Sequence, residues 1–396
     1  MKPRIFINMH YMEIGGAERA LLGLLNAIDT NKVDVDLFIN QHTGEFMKLI
    51  PSKINLLPEI STYSVIEKPI STAIKKGHIG IAFARLLAKI HYKIKNWHKN
   101  SDDASIFNLV AKYTSPLLPS LRKYGEYDLA ISFLTPHNIV KDKVSAKKKI
   151  AWIHTDYTKI SVDANAELPV WNSFDNIVSI SNDVTNTFTQ VFPLLKPKII
   201  EIENILSSSF IKQRASLFEP KEMQGDFIKL CSIGRFCFAK NFEAIPYIAQ
   251  KLKEKGLNFK WYIIGFGDTA ETIDNINKTN TADCVILLGK QENPYPYIAN
   301  CDIYVQPSRY EGKSVTVREA QILGKPVVIT NYPTASSQVI DGKDGLICNM
   351  DNDSIANTIY NLAQDKNKQT KIKKYLSSHD YGNEKEVDKI YHLINE

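Results

Sequence analysis

The 396-residue chain has no apolar run long enough to span a bilayer. It also lacks a signal-peptide core, because the residues after Met1 turn at once into a strand pattern. Cysteine is scarce. Cys231, Cys237, Cys284, Cys301 and Cys348 are scattered and odd in number. That excludes a disulfide framework and a paired zinc spacing, and predicts reduced thiols in a cytoplasmic chain. Excess charge of one sign is small. A net charge of +6 suits a phosphate ligand or an anionic membrane surface and makes no case for nucleic acid. No aspartate cluster suggests a metal site, so neither metal nor cofactor is expected. The dinucleotide fingerprint G-x-G-x-x-G is missing, which argues against a nicotinamide dehydrogenase.

What is present is an α/β pattern. The length exceeds one ordinary core, so two domains are expected. Strand-like runs at residues 4–8, 34–40, 127–134, 149–153, 176–180 and 198–202 alternate with helix-like stretches. A second series begins at 227–233 and continues at 259–264, 284–288, 302–306 and 327–330. The polar stretch between these series, containing Pro220, reads as a linker. In the first βαβ unit, Gly15 and Gly16 follow the first strand, where α/β sheets bind ligands. They serve either a ligand or only the steric needs of the turn. His154 and Asp156 sit just past another strand. His154 is either a ligand-facing group or a structural strand-end histidine, and Asp156 is a candidate base.

Residues 75–99 stand apart. Seven basic side chains are interleaved with Phe83, Leu86, Leu87, Ile90, Ile94 and Trp97 at helical spacing, with no acid in the stretch. A basic amphipathic helix of this kind suits an anionic membrane surface. The alternative is a helix packed on its own domain with a solvated basic face.

The most informative run is 310–320, Tyr-Glu-Gly-Lys-Ser-Val-Thr-Val-Arg-Glu-Ala. A short Gly/Ser turn opens a helix between Glu311 and Glu319. Backbone N–H groups and the positive helix end suit a phosphate, and the carboxylates can accept hydrogen bonds from neighbouring hydroxyls. Phosphate flanked by hydroxyls describes a nucleotide-sugar. Glu319 has a second reading, as the acid of a Thr316-x-x-Glu319 capping box. Upstream, Gly234 ends a strand and is followed by Arg235 and Lys240, a guanidinium and an ammonium able to converge on one anion. Gly265, Gly267 and Gly289 end further strands and leave backbone groups approachable.

In this order, the Gly15-Gly16 turn, Gly234-Arg235 with Lys240, Gly265 and Gly267, Gly289, and Glu311-Gly312 through Glu319 resemble family-4 retaining glycosyltransferases of the GT-B fold, of the bacterial surface-polysaccharide type. The resemblance implies two Rossmann-like doubly wound domains facing a cleft. Residues 1–205 form the acceptor side and 206–380 the nucleotide-sugar side, and a last helix within 381–396 crosses back to the first domain. It implies that Arg235 and Lys240 neutralise the donor diphosphate, helped by backbone groups of Gly312, Lys313, Ser314 and Val315. Glu311 then bonds the donor sugar and Glu319 the ribose. Gly289, Lys290 and Gln291 frame the base, Gly16 approaches phosphate or acceptor, and His154 faces the sugar. Lys313 departs from many relatives, which carry proline or another small apolar residue nearby. The expected activity is metal-independent transfer of a hexose-type sugar, with retention, from a nucleoside-diphosphate sugar of the UDP type to a glycan or lipid-linked acceptor. The rivals are a nucleotide-sugar epimerase of the same architecture and a catalytically inactive nucleotide-sugar-binding scaffold.

Overall fold

A computed structural model describes residues 2–95, 105–155, 157, 160 and 162–395. The candidate base Asp156 and the last part of the basic stretch, residues 96–99, lie outside the described residues. The chain divides into two compact units, Met1–Ile205 with Glu384–Glu396, and Leu206–Asn383.

The first unit is built on seven parallel strands: β1 (Arg4–Met9), β2 (Asp34–Ile39), β3 (Asn55–Leu56), β4 (Glu126–Ser132), β5 (Ser145–Ile153), β6 (Asn176–Ser179) and β7 (Ile199–Glu201). Their order in the sheet is β3-β2-β1-β4-β5-β6-β7. Successive side chains on a strand leave opposite faces. Ile5, Ile7 and Met9 therefore enter one core with the helix Gly16–Ala27, while Phe6 packs in the other core with Phe38 and Tyr127. The terminal helix Val387–Asn395 adds Val387, Ile390 and Leu393 to the first of these cores. Tyr391 on the same helix accepts from the Asp29 N–H at 2.8 Å.

The second unit holds six parallel strands: β8 (Ile228–Ile233), β9 (Phe259–Ile264), β10 (Val285–Gly289), β11 (Ile303–Gln306), β12 (Val327–Thr330) and β13 (Gly345–Cys348). They are ordered β10-β9-β8-β11-β12-β13. Trp261 and Ile263 face one core and Tyr262 and Ile264 the other, as a strand covered on both faces requires. In both units the chain runs outward from one central strand, then returns to its other side. Doubly wound sheets bind ligands where the order reverses, at the carboxyl ends of β1/β4 and β8/β11.

One expectation changes. The polar stretch before β8 is not a linker. Ser207 caps the helix Ser208–Ala215 by accepting from the Phe210 N–H, and Ile211, Ala215 and Met223 are buried in the second unit. Its few apolar residues sit at helical spacing, so burying them outweighs the polar composition. The basic stretch is helical as expected over Ile79–Lys95, and Gly77, whose φ is +78°, separates it from the preceding helix Ile70–Lys75.

Candidate functional site

The second unit gathers most of the candidate residues at the carboxyl ends of β8 and β11. β11 is an apolar run buried throughout, ending in Gln306, with Ser308 just beyond. Thr330 Oγ1 donates to the Ser308 carbonyl, and Thr334 Oγ1 donates to the Glu311 carbonyl at 2.9 Å. These bonds fix a loop that carries Glu311 outside the following helix. Opposite, the turn after β8 passes through Asn241, whose φ of 57° is left-handed backbone. Asparagine tolerates that conformation better than most residues. The turn delivers the Lys240 side chain to Glu311.

Lys240 Nζ and Glu311 Oε1 are 2.5 Å apart, with the two side chains only 20% and 10% exposed. The same oxygen accepts from Ser308 Oγ at 2.6 Å and from Gln306 Nε2 at 3.3 Å. Gln306 is held in turn by Tyr304, whose hydroxyl donates to its Oε1 at 2.8 Å. Among the described residues, the hydrogen bonds to the carboxylate all fall on Oε1. A part-buried charge with three donors on one oxygen is preorganised, and its second oxygen can accept from a ligand hydroxyl.

Arg235 is exposed at the same strand end, its guanidinium over the Phe266 ring at 5.3 Å. Lys290 lies over the same ring at 5.8 Å. Phe266 is 44% exposed, so two cations flank an accessible aromatic face. Gln291 turns back, its Nε2 donating to the Leu288 carbonyl at 2.7 Å.

The strand-end glycines allow close backbone approach here. A Cβ on Gly265 would lie 1.7 Å from the Gly234 carbonyl oxygen. Gly267, with φ +127°, would put a Cβ 2.6 Å from the Phe236 oxygen. Gly289 has φ +65° in open space. The ladder continues through these residues, with the Gly234 N–H on Ile264 and the Gly265 N–H on Gly289 at 3.0 and 2.9 Å.

The turn after Gly312 leads into the helix Val315–Ile322, with Ser314 as its N-cap. The first N–H groups of a helix have no partner inside it. Of the backbone groups assigned to phosphate, that of Ser314 is already engaged, donating to Gln338 Oε1 at 3.0 Å. Gln338 also accepts from Tyr332 at 3.0 Å. The capping box does not form. The helix begins one residue before Thr316, so Thr316 is not the cap, and its hydroxyl donates to Gln306 at 3.3 Å instead. Glu319 lies one turn deeper, wholly buried, accepting from the Tyr295 hydroxyl at 2.9 Å.

In the first unit, Gly16 opens the helix Gly16–Ala27, and a Cβ there would meet nothing within 4 Å. His154 follows β5, its ring 4.6 Å from Phe133 and stacked on Trp152 at 6.0 Å. Burial pushes its pKa down to about 3. Its Nε2 is shut off from solvent with no protein partner among the described residues. Two further histidines share these strand ends. His137 bonds Ser132 at 2.8 Å, and burial, with His10 and His154 nearby, lowers it to about 3. His10 pairs with Glu67 at 2.7 Å. Burial alone would raise Glu67, but the bond from His10 and the Arg85 charge hold it below the usual carboxylate range. Among the described residues no group of three or more His, Cys, Asp or Glu side chains is arranged to hold a metal ion.

Sequence reading missed Ser308, Gln306, Gln338 and Tyr295. Ser308 lies three residues before Glu311 and was accessible to a local reading. Gln338 and Tyr295 reach the site from other elements and carried no local signal.

Residues 213–379 match the family described as "Glycosyl transferases group 1". An uncharacterized glycosyltransferase of Haemophilus influenzae is 24% identical over 408 residues, covering 98% of this chain and 98% of that one. A Campylobacter jejuni N-acetylgalactosamine-N,N'-diacetylbacillosaminyl-diphospho-undecaprenol 4-alpha-N-acetylgalactosaminyltransferase is 29% identical over 192 residues, 48% of each chain. The chain spans only 38% and 29% of two further curated relatives it matches. Among solved structures, a Staphylococcus aureus TarM variant in complex with fondaparinux, alpha-GlcNAc-glycerol and UDP superposes with a TM-score of 0.66 at 14% identity, covering 100% of both chains.

Proposed function

We propose that the chain, whose residues 213–379 match the group 1 glycosyl transferases, transfers a hexose-type sugar from a nucleoside-diphosphate sugar, of the UDP type, to a hydroxyl acceptor with retention. The observation that carries the reading is the Lys240–Glu311 pair at the β8/β11 switch point, beside the N-terminus of Val315–Ile322. A donor entering there meets an ammonium, a guanidinium and a helix end suited to its diphosphate, and a carboxylate suited to its sugar hydroxyls.

In the reaction, the bond from the anomeric carbon to the diphosphate oxygen breaks as the acceptor oxygen bonds to the same face. The acceptor proton passes to the departing phosphate. Arg235, Lys240 and the helix N-terminus stabilise the developing negative charge by fixed electrostatics. Lys240 shifts from Glu311 towards the diphosphate as the donor binds. Neutral His154, with a buried Nε2, suits a sugar hydroxyl, and Gly16 lets an acceptor approach its helix. Gly289, Lys290 and Gln291 with Phe266 border the base. Glu319 is proposed for the ribose, alongside its bond to Tyr295.

The relatives support one acceptor class. The Campylobacter enzyme is named for an undecaprenyl-diphosphate-linked substrate, which supports a lipid-linked saccharide acceptor in surface-polysaccharide synthesis. The UDP in the TarM complex supports a UDP-linked donor. The test is product analysis of the full chain with donor alone and with donor plus a lipid-linked saccharide. A new glycoside formed only with acceptor supports transfer. Conversion of the donor sugar without acceptor would assign the epimerase reading instead.

A further inference from the structure

The helix Ile79–Lys95 packs in an orientation that its own core does not explain. It buries Ile81, Ala82, Ala84, Arg85 and Ala88. It exposes larger apolar side chains: Ile79 at 69%, Phe83 at 60%, Ile90 at 46% and Ile94 at 68%, with Leu86 and Leu87 between them. At ~100° per residue these six fall within an arc of about 100°, opposite the buried face. Arg85 fixes the orientation from beneath, donating to the Val65 carbonyl at 3.0 Å and to that of Lys68. The outward stripe is therefore set by the fold.

The surface continues beyond this helix. Phe107 is 62% exposed on the neighbouring helix Ser105–Thr114, and Leu117 is 50% exposed. Leu117 lies 3.7 Å from where a Cβ on Gly80 would stand, so it adjoins the start of the stripe. Ile74 is 54% exposed on the preceding helix Ile70–Lys75. Lys75, Lys76, Lys89 and Lys93 are exposed around these residues, and no acid occurs from Lys75 through Lys95. An exposed apolar stripe of this length marks an interaction site.

We propose that this face docks on an anionic lipid bilayer. The apolar stripe enters the boundary between headgroups and acyl chains, and the lysines meet anionic headgroups. The charge pattern selects this occupant over a second copy of the chain. A two-fold contact would set lysines against lysines, and the described residues from Lys75 through Lys95 include no acid to neutralise them. With no helix among the described residues long and apolar enough to cross a membrane, the contact is interfacial. The proposal does not rest on the transfer activity, and its test reads lipid binding alone, so the two readings fail separately.

The full chain is sedimented with vesicles of phosphatidylcholine, with and without phosphatidylglycerol, at low and high salt. Binding is expected only with phosphatidylglycerol and weakens as salt rises. Lys89→Ala and Lys93→Ala should each weaken it about fivefold. Phe83→Ser combined with Ile90→Ser should weaken it roughly tenfold or more at every salt concentration while leaving the melting temperature unchanged, since both side chains are exposed. Failure to bind at low salt, or undiminished binding by the Phe83/Ile90 variant, overturns the proposal. So does a native dimer that this variant converts to monomer, which would assign the face to a second copy.

Discussion

Glu319 has one observed duty and one proposed, and the two can be separated. The side chain is wholly buried and anchors the Tyr295 hydroxyl, and it is also proposed for the ribose. Glu319→Gln should raise the donor KM several-fold with kcat nearly kept. Tyr295→Phe removes the partner hydroxyl but leaves the carboxylate, so its donor KM should stay close to the native value. Equal KM changes in the two variants would reduce Glu319 to an anchor. The residue-scale chemistry was legible where charge and local spacing reported it. Arg235, Lys240 and Glu311 stood out as cations and a carboxylate at strand ends. What could not be read was their partnership, because Lys240 and Glu311 are 71 residues apart and meet only once β8 and β11 pair. The Thr316-x-x-Glu319 pattern, the second reading of Glu319, goes unrealised for a related reason. A capping box needs its first residue at the helix start, and Ser314 holds that place.

At the scale of elements, the strand-end glycines are not equivalent. Gly265→Ala would drive a Cβ to 1.7 Å from a backbone oxygen, which forces β8 and β9 apart at their ends. Gly289→Ala meets nothing within 4 Å and adds only left-handed backbone strain, about 1–2 kcal/mol. Urea unfolding should therefore show Gly265→Ala as much the more damaging. Equal losses would contradict the close approach. Most of the strands were readable as apolar runs because both faces of each sheet are covered. β3, two residues long, and β13, which begins at Gly345, were not, because neither presents a long apolar run. The basic stretch was legible as an amphipathic helix. That it buries its alanines and exposes its larger apolar residues was not, since periodicity marks a stripe without saying which side of it meets the domain.

At the scale of the whole molecule, the first unit should be acid-sensitive. His137 and His154 are both held down to about 3, chiefly by burial. The unfolded chain takes up protons on them near the ordinary value of about 6.5, whereas the fold refuses them until about 3. The stabilising contribution is thus fully present above about 6.5 and is lost as the pH falls towards about 3. The steepest slope is about 2.7 kcal/mol per pH unit for the pair. The urea midpoint should fall between about pH 7 and about pH 5, and an unchanged midpoint would contradict burial of these rings. The most direct measurement of the central claim is the anomeric configuration and rate of product formation from a UDP-hexose and a lipid-linked saccharide acceptor, for the native chain beside Lys240→Ala. The account predicts a glycoside that keeps the donor's anomeric configuration, and turnover in the variant lower by roughly 100-fold or more, with the variant still folded. An inverted product, or a Lys240→Ala enzyme turning over at the native rate, would contradict it.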